Sequence, residues 1–184
     1  MKGIIFNLLE DFIIESLGEE QYEDILGECE LQTDEPFVGP GTYPDEDLLA
    51  IVNKAVEALG ITLPEALRAF GKFCIPKLTS KFPDFMTPHK HPKSFLKTID
   101  TIHHVEVKKL MADAEVPHFS FEEPADDRLI LRYHSKRKFC HLMEGLIEGV
   151  ADYYGSPIQQ KQSRCMLEGD DFCEFDLKFS TKEK

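Results

Sequence analysis

The chain has 184 residues, with 21 lysines and arginines against 34 aspartates and glutamates, a formal net charge of −13. Such a field repels phosphate backbones and excludes nucleic acid as an expected partner, and no run of about 18 uncharged apolar residues is available to cross a bilayer. Hydrophobic residues at 42% and charged ones at 30% suit a folded domain with a core. The opening MKGIIFNLLED acquires acids too early for a secretory signal, so the expected location is the cytoplasm, where the five cysteines are thiols.

Ile4, Ile5, Leu8, Leu9, Phe12 and Ile13 recur at helical spacing as one apolar stripe. Gly18 interrupts it, and a short amphipathic segment with Tyr22, Ile25 and Leu26 follows. Pro36, Gly39, Pro40, Gly41 and Pro44 mark residues 31–44 as a loop. Asp45, Glu46 and Asp47 suit the positive end of a helix dipole, and Leu48, Leu49, Val52, Val56 and Leu59 carry that helix to Gly60. Thr62-Leu63-Pro64-Glu65 reads as a capping box opening a helix with Leu67, Phe70 and Phe73.

Pro83, Pro88 and Pro92 break residues 83–92 into a connector, and a helix is predicted from Ser94 to Met111. Pro117 closes that region, and Pro124 to Asp127 reads as a turn. Arg128 to Tyr133 alternates as a strand with Leu129, Leu131 and Tyr133 on one face. A helix beginning at Ser135 carries Phe139, Leu142, Met143, Leu146 and Val150 to Gly155. Two strands close the chain, the last with Cys173, Phe175, Leu177 and Phe179 alternating with charged residues. Helices first, then strands enclosing one helix, give an α+β class.

On the 94–111 helix, Leu96, Ile99, His103, Val107 and Leu110 share one face, while His104 lies with Lys97, Asp100, Thr101 and Lys108 and is expected to face solvent. An inward imidazole must satisfy both ring nitrogens. It is either a core histidine bonded to a carbonyl or a metal or haem ligand whose second nitrogen is fixed by one. Periodicity does not separate the two. Downstream, Tyr133, Ser135 and Arg137 alternate from strand end into helix start. Two hydroxyls and a guanidinium on one side can converge on a carboxylate; alternatively, Ser135 caps a helix and Arg137 is solvated.

A helical Ile-His followed about thirty residues later by Tyr-x-Ser-x-Arg resembles the H-NOX family, the haem nitric oxide/oxygen-binding domains related to the sensor domain of soluble guanylate cyclase. The start MKGIIFN, the Asp45-Glu46-Asp47-Leu48-Leu49 helix start and Gly145-Leu146-Ile147-Glu148-Gly149 are similar too, so the likeness covers essentially the whole chain. The resemblance implies a single domain with an N-terminal helical part (1–62) packed on a haem-binding part (63–184) that carries a four-stranded antiparallel sheet and helices. It implies haem b, with His103 as proximal iron ligand, Tyr133, Ser135 and Arg137 on the propionates, and Pro117 packed against the haem. The distal positions fall at Ile5, Leu9, Cys74, Leu78, Leu142 and Leu146. Oxygen-holding relatives are understood to use a distal tyrosine, which here is Leu142. A pocket without a strong donor favours nitric oxide and carbon monoxide over dioxygen, because bound dioxygen carries partial negative charge and needs a hydrogen bond.

The same resemblance implies a non-enzymatic switch: nitric oxide breaks the iron–histidine bond, and the change in shape regulates a separate histidine kinase or cyclic-di-GMP enzyme (diguanylate cyclase or phosphodiesterase). The chain closes with Ser180 to Lys184 shortly after its last strand, so no fused effector is expected. Cys140, Cys165 and Cys173 match three ligands of a structural zinc site in some stand-alone relatives, where the fourth is a histidine at the position of Gln162. Buried apolar thiols and a thiol redox sensor are the other readings of this trio. Residues His89, His91 and His118 are expected to be solvated loop histidines. The competing functions are a haem enzyme such as a peroxidase or nitric-oxide dioxygenase, and an interaction domain without haem.

Overall fold

The N-terminal stripe folds as helix α1, Gly3–Leu17, which buries Phe6, Leu8, Leu9 and Ile13. The computed structural model describes residues 1–33 and 36–180; two residues of the 31–44 loop and the chain end at 181–184, on which the expectation about a fused effector falls, lie outside the described residues. Gly18, at φ 95, turns the chain into α2, Glu19–Gly27. The proline- and glycine-rich loop presses on α1 so closely that a Cβ on Gly3 would stand 2.0 Å from the Val38 carbonyl oxygen. Phe6 stacks on Phe37 at 4.2 Å, and Tyr43 meets both rings edge-on.

Helix α3, Asp45–Leu59, has its three acids in the first turn, where the dipole favours them. Asp47 does more than complement a dipole: its side chain is buried, and Oδ1 accepts the Gln32 amide at 2.9 Å. Helix α4, Leu63–Lys81, opens on the expected capping box. The Thr62 hydroxyl donates to the Glu65 carboxylate at 2.7 Å, and the Glu65 amide returns to Thr62 Oγ1 at 3.4 Å.

Packing divides the chain into two compact units, Met1–Phe70 and Gly71–Lys184. The division falls inside α4 and not at the expected 62/63 boundary, because the first turns of α4 pack in the first unit, where Phe70 meets Phe12 at 5.6 Å.

The second unit carries β1 His118–Ala125, β2 Arg128–His134, β3 Ile158–Arg164 and β4 Cys173–Phe179 as an antiparallel sheet in the order β1-β2-β4-β3. Strand β1 runs through Pro124, which sequence reading assigned to a turn; as an edge strand it tolerates the missing N–H, and its pairing slips between Glu122 and Ala125. Leu129, Leu131, Tyr133, Cys173, Phe175 and Leu177 form one core with Cys140, Met143, Ile147 and Val150 of helix α8, Cys140–Tyr154. Helix α8 starts five residues later than expected. Residues 135–139 form a turn instead, with Lys138 at φ 51.

The predicted 94–111 helix is also broken. Helix α5, Pro92–Leu96, begins early because proline sits at its first position and His91 Nδ1 accepts the Lys93 amide at 3.2 Å. After a turn at Lys97 and Thr98 come α6, Ile99–Thr101, a π-helical stretch Ile102–Val107, and α7, Lys108–Leu110. Together these three form the His103 helix. Among the described residues no helix is long and apolar enough to cross a membrane.

Helices α4 and α8 approach closely at two glycines. A Cβ on Gly71 would stand 2.3 Å from the Leu142 carbonyl oxygen, and one on Gly149 would stand 2.9 Å from that of Lys72. Backbone cannot retreat as a side-chain tip can, so Gly71→Ala is expected to lower stability by about 1–3 kcal/mol through overpacking, read as a reduced urea midpoint. Across β2 and β4, Arg128 and Arg132 hold Asp176 and Glu174 by side-chain hydrogen bonds, which lower both carboxyl pKa values. The unfolded chain then binds protons there more tightly than the native one, so this stability is present above the ordinary carboxylate range and is lost as pH falls through the lowered native values. Asp176→Asn is expected to flatten the acid limb of a pH–stability profile.

Candidate functional site

His103 lies in the π-helical stretch, half-buried, with Nδ1 2.7 Å from the Ile99 carbonyl oxygen. A carbonyl only accepts, so Nδ1 carries the proton, and in the neutral ring Nε2 keeps its lone pair. Burial lowers the His103 pKa, against the opposing effect of the Ile99 bond. The ring therefore stays neutral and able to ligate at physiological pH.

Phe119 on β1 lies between His103 and Tyr133, its ring 5.4 Å from the first and 5.6 Å from the second. Tyr133 pairs with Phe119 across the strands and is buried, which raises its phenol pKa. A hydrogen bond with Ser135 and one with the Phe139 backbone oppose that rise. The Arg137 amide donates to Ser135 Oγ at 3.3 Å. Its guanidinium, only 15% exposed, donates to the Glu115 carbonyl at 3.0 Å and lies 3.6 Å from the Glu115 carboxylate. Ser135 thus meets the Tyr133 side chain and the Arg137 amide in a turn, while the Arg137 guanidinium is engaged by Glu115, so the shared extended face that sequence reading predicted is not formed.

Two expectations about helix faces need correction. Leu110, predicted inward, is 66% exposed. His104, predicted to face solvent, has a side chain only 25% exposed; its Nε2 donates to the Pro117 carbonyl at 3.0 Å and lies 3.6 Å from Asp100 Oδ1. The wider turn at Ile102–Val107 shifts the residues after it off the 3.6-residue pattern. Asp100 also accepts the Phe119 amide at 2.8 Å, so the His103 helix is stitched to the start of β1 on both sides of His103. Pro117 sits at that seam.

In the second unit, Cys74 is buried and Leu78 half-buried on α4, with Leu142 and Leu146 half-buried on α8 at the close crossing beside Gly71. In the first unit, α1 carries Leu9 buried and Ile5 half-buried. Burial pushes the Cys74 thiol up to about 12, so it stays protonated. None of these six side chains is charged or a strong donor at neutral pH.

Cys140, Cys165 and Cys173 converge, with ligand atoms all within 4.8 Å of one another. The Cys140 and Cys173 sulfurs are 2.7 Å apart. Their hydrogen bond pushes the Cys140 pKa up and holds that of Cys173 below the ordinary thiol value. Gln162 spends its amide on the Arg164 carbonyl at 3.0 Å, and His141 Nδ1 lies 2.9 Å from Glu144. Of the remaining histidines, His91 caps α5 with its ring 5.4 Å from that of Phe179, and His89 meets Phe95 at 6.0 Å. His118, exposed, stacks on His104 at 4.3 Å.

Sequence reasoning missed Phe119, Asp100 and the Ile99 carbonyl. Alternation of Phe119 and Phe121 signalled a strand at 118–121, whereas the acceptor roles of Asp100 and Ile99 left no mark in residue type.

A family profile described as Haem-NO-binding matches residues 2–162. Among curated proteins, soluble guanylate cyclase gcy-32 of Caenorhabditis elegans is 24% identical over 155 residues, covering 82% of this chain but 23% of that protein; the chain spans under a quarter of the length of the curated relatives it matches. Among solved structures, an H-NOX protein from S. oneidensis in the Fe(II)NO state aligns over 98% of this chain and 100% of its own, at 29% identity and a TM-score of 0.92. The SO2144 H-NOX domain from Shewanella oneidensis in the Fe(II)CO state aligns over 99% of this chain and 100% of its own, at 29% identity and a TM-score of 0.90. With its helices, its four-stranded antiparallel sheet and a profile match over most of its length, the chain belongs to the Haem-NO-binding, or H-NOX, family of haem-based gas sensors.

Proposed function

We propose that this chain is a nitric-oxide sensor that holds haem b through His103 and reports ligand state to a separate signalling protein. The observation that carries the reading is the Nδ1–carbonyl bond at 2.7 Å, which fixes the tautomer and leaves Nε2 as the one basic nitrogen of a half-buried ring. The donor set fits the cofactor: one neutral imidazole for iron, with two hydroxyls and a guanidinium for the propionates. When bound, haem supplies a ferrous iron that takes a diatomic gas.

The chain's own residues do the rest. Tyr133, Ser135 and Arg137 would hold and orient the propionates, and Pro117 would pack against the haem. Ile5, Leu9, Cys74, Leu78, Leu142 and Leu146, the distal positions implied by the family resemblance, include no strong donor, a composition that favours nitric oxide and carbon monoxide and gives dioxygen no hydrogen bond. The helix that carries His103, bonded to the start of β1 through Asp100 and His104, would be the two-state element whose position a partner reads. A histidine kinase or a cyclic-di-GMP enzyme is the partner class. A peroxidase or nitric-oxide dioxygenase would need a polar acid–base pair, which those six side chains do not supply.

The reduced protein is expected to shift its Soret band with nitric oxide and with carbon monoxide, and to form no long-lived complex in air; a persistent oxygen complex would overturn the gas assignment. His103→Gly should keep part of its haem affinity through Tyr133 and Arg137 while losing the native ferrous spectrum. An unchanged spectrum would remove His103 as ligand.

The three-cysteine cluster is proposed as a zinc site that Cys140, Cys165 and Cys173 would hold, supported by the convergence of the three sulfurs within 4.8 Å of one another. Elemental analysis of protein purified without added metal is expected to find about one zinc per chain. Metal-free protein with three titratable thiols would refute it.

A further inference from the structure

Asp100, His104 and His118 form a second cluster in which one ligand atom from each residue lies within 4.8 Å of the others. We infer that they form a divalent transition-metal site that clamps the His103 helix to the start of β1. Two imidazoles and a carboxylate suit borderline cations such as Ni²⁺ and Zn²⁺.

The distances around His104 Nε2 fit that chemistry. With metal–ligand bonds of about 2.1 Å, neighbouring ligand atoms stand roughly 3.0–3.4 Å apart. Nε2 lies 3.0 Å from the Pro117 carbonyl oxygen and 3.6 Å from Asp100 Oδ1. The proton that Nε2 now donates moves to Nδ1, a tautomer shift in a neutral ring, and the cation takes its place between nitrogen, carbonyl and carboxylate. Asp100 is pre-positioned, because the Phe119 amide already holds Oδ1 at 2.8 Å. His118 stacks on His104 with the planes 23° apart, so its ring must swing to present a nitrogen. It is free to do so: the residue is exposed, and among the described residues no hydrogen bond engages the ring. The chain's net charge of −13 draws cations to any such site.

Occupancy would close the 111–117 segment into a metal-bridged loop, joining residues that flank His103 to Pro117 and His118. A consequence that rests on the nitric-oxide reading follows: bound metal would restrain the helix when His103 lets go.

The test is calorimetric titration of Ni²⁺ into the full chain under reducing conditions. The wild type is compared with His118→Ala, which alters an exposed side chain, and with Asp100→Asn, which keeps an oxygen for the Phe119 amide. The wild type is expected to show one binding event that each variant weakens by at least about tenfold, while any nickel at the cysteines is common to all three. Equal titrations for the wild type and His118→Ala overturn the proposal, as does a wild type that binds no Ni²⁺ outside the cysteines. The Soret response to nitric oxide, recorded without added metal, reads the sensor function separately, so either idea can fail alone.

Discussion

A neutral imidazole is useful to a metal only if its other nitrogen is spoken for, and in this fold that condition is met within one helix, by the carbonyl of Ile99 on the Nδ1 of His103. Everything around the site preserves that pair. Asp100, adjacent to Ile99, accepts the Phe119 amide, and His104, adjacent to His103, donates its Nε2–H to the Pro117 carbonyl. The two sides of the bond are therefore each anchored to the entry of β1, and Phe119 carries the contact on to Tyr133. The helix that carries the bond is held by short contacts to loop and strand backbone, and beyond them it ends at Leu110, which is exposed.

Much of this was readable from residue order. The capping box at Thr62, the stripe of α1 and the alternation of β2 and β4 are local patterns in which neighbours in sequence decide the outcome. His103 stood out as the polar member of an apolar face, and Tyr133, Ser135 and Arg137 by their type and spacing. What failed was geometry that no residue type encodes. The π-helical stretch shifted Leu110, which follows it, outward, the Pro117 carbonyl engages His104, and the turn at 135–139 replaced the predicted first turn of α8. Asp47 is a similar case: three acids at a helix start read as dipole partners, and only the fold shows one of them buried under the Gln32 amide.

The cysteine trio shows a further limit of sequence reading. Spacing alone could not say whether Cys140, Cys165 and Cys173 meet; the register of β4 against β2, and the start of α8 at Cys140, bring them together. Gln162, in the position where a fourth ligand was sought, turns its amide to its own strand's end at Arg164. The cluster is thus a three-sulfur arrangement in which one thiol is easier to ionise than an ordinary cysteine, because its neighbour donates to it.

The wide turn at Ile102–Val107 can be viewed as one residue inserted into an otherwise ordinary helix. Since each residue of an α-helix advances about 100°, an insertion rotates all that follows relative to what precedes it. Adjacent residues stand about 100° apart along a helix, so neighbouring histidines on this stretch present their rings to two different neighbours at once, His103 to Phe119 and His104 to the Pro117 carbonyl.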